Sequence, residues 1–440
     1  MLRKFLTIAI ATTTIAVSLV TATAARDMGI EEIRTPGGVT AWFKHEPSIP
    51  VISVSALWRG GAAADPVELQ GISNLVSGLL DEGAGDMDSL AFQTRMEELA
   101  LRMGFEAGRD NFSGSLETLS ENADQAFELF GLALSSPRFD EVPVARIRRQ
   151  IISGIQRSKF SPNAIAGKIW RTRVFADQPY GRPTNGTEKS VAAITQDDLI
   201  NFMKTRLGKD NLIIGVVGDV SREKLIELLD KAFGGLPDKA KIAAGADQEI
   251  RVGGITATED YDSPQTVIMF STPGIRRDDS DYYAAMVMNK ILGGGGFSSL
   301  LTEEIREKRG LTYGVYSYLS PRDDVGLWMG GLSTSNANTA EALKVLKQTI
   351  RDFAGNGPTE QQLADAKANI NGSFPLRLTS NRAIAGLLVA LQRHNLGKDY
   401  LRQRPEFISA VTVDDVKRIS ARILDLDTLV VVAVGKPEGL

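Results

Sequence analysis

The feature that most constrains this chain is that it repeats itself. The segment ITQDDLINFMKTRLGKDNLIIGVVGDV, starting at Ile194, returns as VTVDDVKRISARILDLDTLVVVAVGKP from Val411. Thr195 and Thr412, Asp198 and Asp415, Leu212 and Leu429, and Gly218 and Gly435 each lie 217 residues apart. A sequence made of two copies of one pattern is expected to fold as two copies of one unit. In each copy a Thr precedes two acidic residues, the pattern of a helix N-cap with negative charge in the first turn. A run of Leu, Ile and Val then reads as a buried strand.

A looser pair extends the repeat. ENADQAFELFGLAL before FDEVPVARIRRQIISGI is mirrored by ANTAEALKVLKQTI before TEQQLADAKANINGS at nearly the same spacing. Between the copies, Leu236 to Ile250 (LPDKAKIAAGADQEI) has neither helical nor strand periodicity and reads as a linker. The expected division is a domain at 26–235, a linker at 236–250 and a domain at 251–440. In the first half, strands are expected near Glu31 to Lys44, Val51 to Trp58, Asn111 to Leu119 and Leu212 to Val217, with helices near Val67 to Leu80 and Ser89 to Met103. In the second half, strands are expected at Thr266 to Ser271, Thr312 to Ser320 and Gly326 to Ser333. Hairpins of strands with grouped helices define an α+β class: two homologous domains, each a mainly antiparallel sheet covered by helices.

Residues 1–25 read as a signal peptide. Arg3 and Lys4 form a basic start, Phe5 to Val20 an apolar run, and Ala22-Thr23-Ala24 a small-residue cleavage site. This predicts export to the periplasm and a mature protein with no membrane anchor; the run is interrupted by Thr12, Thr13 and Thr14 and is short for a bilayer span. Cleavage would take the net charge from −4 to −6, with no basic patch to track a phosphate backbone, so nucleic acid is excluded as a partner. There is no cysteine, which rules out disulfides, thiolate metal sites and thiol nucleophiles. No Gly-x-Ser-x-Gly elbow is present. The two histidines, His45 and His394, lie in different halves without partner motifs, so surface or capping roles are expected for both.

With its duplication and the motifs quoted below, the chain resembles the pitrilysin and mitochondrial processing peptidase family, the HxxEH zinc peptidases. The resemblance implies two homologous domains facing each other across a closed chamber. In active members the helix after the opening strands carries two zinc-binding His and a Glu that activates water, and a distant Glu completes the site. Here the approach ALWRGGAAADPVELQGISNLVSGLLDEG places the five motif positions on Asn74, Leu75, Val76, Ser77 and Gly78, and the distant Glu at or near Gly154 in RRQIISGIQR. Every ligand and the base are missing.

The second half keeps more of the family pattern. GGGGFSSLLTEEIREKRGLTYGVYS, Gly293 to Ser317, looks like the family's glycine-rich loop, helix and strand, with Arg306 and Tyr313 at its Arg-x6-Tyr spacing. By spacing alone, Arg306 is one charge among Glu303, Glu304, Glu307 and Lys308 on an exposed helix face. The surrounding matches give Arg306 and Tyr313 a role in gripping a peptide carbonyl and stabilising its oxyanion, a job for a cation and a phenol donor. Gly293, Gly294, Gly295, Gly296 and Phe297 are the expected substrate-binding loop, where missing side chains admit another backbone. They follow a helix and precede no Gly-Lys-Ser or Gly-Lys-Thr, which argues against a phosphate loop. The resemblance thus implies a subunit that binds no cofactor itself and donates Arg306 and Tyr313 to the zinc site of an HxxEH partner in a heterodimer acting on peptides. Alternatives are an inactive structural or assembly subunit and a peptide-binding protein of the same fold.

Overall fold

Alternation of side chains sets the strands of this chain: Asn111 to Leu119 alternates between half-buried and buried residues along its whole length. The computed structural model describes residues 29–242, 248–251 and 253–440. The expected signal peptide and the middle of the expected linker, 243–247, lie outside the described residues.

Six strands form the first sheet: β1 (Ile30–Arg34), β2 (Thr40–His45), β3 (Val51–Arg59), β4 (Arg102–Ala107), β5 (Asn111–Leu119) and β6 (Leu212–Gly218), in the order β1-β2-β6-β3-β5-β4. Five form the second: β7 (Thr256–Asp260), β8 (Gln265–Pro273), β9 (Val315–Pro321), β10 (Gly326–Ser335) and β11 (Val430–Gly435), in the order β7-β11-β8-β10-β9. Each sheet has one parallel pair, β2 with β6 and β7 with β11, and is otherwise antiparallel. Setting β2 on β7, β6 on β11, β3 on β8, β5 on β10 and β4 on β9 superposes the two orders. Among the described residues only β1 has no counterpart.

One face of each sheet buries a core under helices. In the first, Trp58, Phe112, Phe127, Phe130 and Phe233 are buried together. In the second, Phe270 and Trp328 pack with Ile291, Leu346 and Ile419. Thr195 and Thr412 both cap their helices as the sequence pattern requires, each accepting from the backbone N–H of the Asp three residues on, whose carboxylate reaches back to the Thr. Among the described residues no helix is long and apolar enough to cross a membrane.

The opposite faces are covered by exchange. The helices Pro162–Phe175 and Asn381–Arg393 are equivalent, each capped by a serine, Ser161 and Ser380, 219 residues apart. The first-half helix lies on β8 and β11 of the second sheet, and the second-half helix lies on β2, β3 and β6 of the first. Trp170 is buried there and donates its indole N–H to Ser271 Oγ at 2.7 Å. Leu388 and Ala385 sit over Gly215, where an added Cβ would meet Leu388 Cβ at 2.8 Å.

Several expectations need correction. Glu31 to Lys44 is a hairpin of β1 and β2, because Thr35 and Gly38 close a turn in its middle. The helix expected over Val67 to Leu80 is regular only from Ile72 to Ser77, and the one begun at Ser89 stops at Glu98, freeing Met103 for the strand β4. Strand β9 begins at Val315 rather than Thr312: Thr312 Oγ1 accepts from Gly314 N–H and bonds the Ser333 carbonyl, holding 312–314 in a turn. Tyr313 therefore precedes the strand instead of opening it. Strand β7 was not anticipated.

Candidate functional site

The helix Ile72–Ser77 is fixed at its start. Gly71 caps it with φ of 90°, in the left-handed region where a Cβ is disfavoured. Asp65, 3% exposed, accepts from the Gly71 and Ser73 backbone N–H groups at 3.1 and 3.3 Å and from the Ser73 hydroxyl. Arg206 pairs with Asp65 at 3.5 Å and donates to the carbonyls of Gly60, Gly61 and Ala64. Burial raises the Asp65 pKa, against the pull of the Arg206 charge. This acid anchors the helix and does not reach toward a ligand.

Along that helix Leu75 and Val76 are fully buried in the core. The Ser77 hydroxyl donates back to the Asn74 carbonyl at 2.9 Å, and Gly78 ends the helix. A Cβ on Gly78 would meet Ile147 at 3.1 Å. Ile147 lies on the helix Glu141–Ser158, which also carries Ile151 and Gly154, one and two turns on along the same face. The face that an active member would use for its distant Glu is thus apolar here. An amide, a hydroxyl and two glycines do not fit a zinc ion, whose ligands are imidazoles, thiolates and carboxylates. Among the described residues no group of three His, Cys, Asp or Glu side chains is placed to hold a metal. His45 closes β2, and His394 caps the Asn381–Arg393 helix.

The second-half residues sit around the helix Tyr282–Leu292. Its end runs into the glycine loop, with the Gly293 and Gly294 N–H groups donating to the Asn289 carbonyl at 3.0 and 2.7 Å. Asn289 holds the neighbourhood together: its Oδ1 accepts from Ser317 Oγ at 2.8 Å and Trp328 Nε1 at 2.9 Å. A Cβ on Gly293 would run into the Ser317 hydroxyl, so glycine is required for the loop to lie against β9. Gly296, with φ of 63° and nothing near, exposes the tip.

Phe297 follows, 76% exposed, and the Arg306 guanidinium stacks on its ring at 4.6 Å from the centroid. Arg306 stands on a π-helical turn, Thr302–Glu307, instead of the regular helix expected. Lys308 pairs with Glu303 and Glu304 and Arg309 with Glu304, while among the described residues the one ion pair of Arg306 is with its neighbour Glu307 at 3.5 Å. Tyr313 is 88% exposed, and its hydroxyl has no hydrogen-bond partner among the described residues.

Tyr313 lines a groove of about 540 Å³ between the exchanged helix and the second sheet. Tyr316 and Tyr318 form its wall, stacked at 6.2 Å with rings 17° apart, and Met269, Gly331 and Val267 form its floor. Arg306 and the glycine loop are not among its lining residues, and no hydrogen bond joins Arg306 to Tyr313. The structure thus brings Arg306 to Phe297 and Tyr313 to the groove, as two separate arrangements. The groove aromatics were missed from sequence; the signal was the alternation in Val315-Tyr316-Ser317-Tyr318, with an aromatic at every second position of an edge strand.

Fold and site together define a duplicated, peptidase-like α+β protein in which Asn74, Ser77, Gly78 and Gly154 offer no imidazole or carboxylate. A family profile described as "Peptidase M16 inactive domain" matches residues 193–370. The crystal structure of the peptidase M16 inactive domain from Pseudomonas fluorescens is 31% identical, with a TM-score of 0.87 over 93% of this chain and 98% of that one. The chain belongs to the peptidase M16 family. The non-peptidase homolog YmxG of Helicobacter pylori is 25% identical over 76% of this chain and 77% of its own length. The probable mitochondrial-processing peptidase subunit beta of Schizosaccharomyces pombe is 24% identical over 92% and 90%.

Proposed function

We propose that this chain is the zinc-free subunit of a heterodimeric periplasmic peptidase, paired with an HxxEH homologue that holds the zinc ion. The observation that carries the reading is the contrast between two places. The motif positions Asn74, Ser77 and Gly78 carry no imidazole or carboxylate, while Tyr313 lines an open aromatic groove and Arg306 stacks on the exposed Phe297.

In this reading the partner supplies metal and activated water, and this chain supplies positioning. An extended peptide lies in the groove that Tyr313 lines, against the rings of Tyr316 and Tyr318. The Tyr313 hydroxyl and the Arg306 guanidinium donate to the carbonyl of the bond being cut as its oxygen gains negative charge. Recognition through backbone bonds and aromatic contacts accepts many sequences. Export follows from residues 1–25, and N-terminal sequencing of the periplasmic protein checks it: a start just after that segment is expected, and an intact Met1 refutes the cleavage.

The decisive experiment measures peptide hydrolysis and bound zinc for this chain, for an HxxEH homologue from the same organism, and for their mixture. The mixture alone is expected to be active, with zinc in the homologue, and Arg306→Ala or Tyr313→Phe to cut turnover by about 10²-fold or more, the scale of a lost oxyanion donor. Unchanged turnover in both variants makes this chain a structural or assembly subunit. Peptide binding without hydrolysis in the mixture makes it a peptide-binding protein.

A further inference from the structure

A second site lies where the two halves meet, away from the groove. The ends of β3 and β8, the turn between β9 and β10 and the end of the Asn381–Arg393 helix enclose a cavity of about 190 Å³. Five arginines line it against two aspartates, Asp278 and Asp323. The aspartates are already engaged: Arg276 pairs with Asp278 at 3.1 Å, and Arg393 with Asp323 at 2.8 Å.

That leaves Arg59, Arg277 and Arg322, none with a carboxylate at ion-pair distance among the described residues. Their partners are neutral. Arg59 donates to the Arg393 carbonyl at 2.9 Å. Arg277 lies 4.0 Å over the Tyr282 ring and donates to the Tyr400 hydroxyl at 3.1 Å. Arg322 lies 5.3 Å over the Tyr180 ring, and its buried Nη1 has no hydrogen-bond partner among the described residues. Asp110 stands near enough to act on Arg322, yet its 3.8 Å pairing is with Arg393. His394, also lining the cavity, is held below its ordinary pKa by burial and by Arg393 and Arg277. The cavity therefore carries an excess of positive charge, its five arginines facing Asp278 and Asp323, with Asp110 close by.

We infer that this pocket binds one compact oxyanion, a phosphate ion or a terminal carboxylate, held by Arg59, Arg277 and Arg322 between the two halves. Planar guanidinium forks suit such groups, and because the arginines come from both halves, the bound anion would tie one half to the other.

The test is calorimetric titration of the full chain with inorganic phosphate at fixed ionic strength. One saturable site is expected, weakened about tenfold by Arg322→Gln or by Arg59→Gln, the loss of one charged hydrogen bond. Arg59 is exposed, so its variant serves even if Arg322→Gln does not fold. Arg418→Gln, an exposed arginine elsewhere, is expected to change nothing. A short peptide with a free C-terminus, compared with its amide, shows the source: displacement of phosphate by the acid alone assigns the pocket to peptide ends, and no displacement assigns it to the free ion. Absence of saturable binding by phosphate and carboxylate alike, or an equal loss in Arg418→Gln, overturns the inference.

Discussion

The two sheets pair their strands alike, yet away from the strips that the exchanged helices cover, their outer faces are chemically opposed. Register makes the comparison residue by residue. Ser55 stands opposite Ser115, and Ser115 opposite Gly104; at the same places in the second sheet stand Met269, Gly331 and Tyr316. Ser113 opposite Glu106 becomes Met329 opposite Tyr318. The first face continues in Ser53 and in Glu117, which pairs with Arg102, and Arg382 of the covering helix donates to Ser115 Oγ. The inner cores, by contrast, are aromatic and aliphatic in both halves. Duplication preserved what closes the fold and let the exposed face diverge: one face offers hydroxyls and charges, the other a trough for apolar side chains.

The largest effect that can break this comparison is on the exchange itself. Trp170→Ala removes a buried indole and its bond to Ser271, and is expected to cost about 3–5 kcal/mol in urea unfolding. A cost below about 1 kcal/mol would mean that the helix does not hold the second sheet. Next come the cores, alike in packing and unlike in hydrogen bonding. Trp328 donates to Asn289, whereas the buried Trp58 Nε1 has no partner among the described residues. Trp328→Phe is therefore expected to cost about 1–2 kcal/mol more than Trp58→Phe in the same assay, and equal costs would erase the distinction.

Giving the second face the residues of the first sharpens the contrast at its surface. Tyr316→Gly with Tyr318→Glu is expected to weaken binding of a labelled extended peptide about tenfold by fluorescence anisotropy while leaving the fold intact, since the two side chains are 56% and 42% exposed and neither belongs to the core. The smallest effect concerns the matching helix caps. The hydroxyl and N–H of Thr412, with Arg418, lower the Asp415 pKa to about 2. Its lowered value means that Asp415 stabilises the fold fully above about pH 4, its unfolded range, and that this is lost as pH falls through about 2. Asp415→Asn is expected to cost about 1 kcal/mol or less at pH 7 and nothing near pH 2, measured by urea unfolding across that range.

Local chemistry was legible in the sequence and tertiary exchange was not. The Thr195 and Thr412 caps follow from three-residue rules, and the repeat spacing gave the second half from the first. Strand β4 escaped because Arg102-Met103-Gly104-Phe105 follows a helix after only a few residues, with no Pro or Asn-Gly to mark the break. The exchanged helices escaped because amphipathicity says that a helix face is buried but not against which sheet. For the site, the identities of Asn74, Ser77, Gly78 and Gly154 are read from the sequence directly. The placement of Tyr313 before its strand depended on the bonds of Thr312, which no periodicity reveals.

The exchange also orders events in time. The first sheet has all its strands once residue 218 is made, but its second face stays bare until the Asn381–Arg393 helix arrives, more than 160 residues later. Until then an apolar strip around Val217 and Trp42 waits uncovered, and the first half is an unfinished product whatever its own sequence favours. Completion is a property of the whole chain: two fragments cut at the linker would have to find each other to be stable, each carrying the cover that the other lacks.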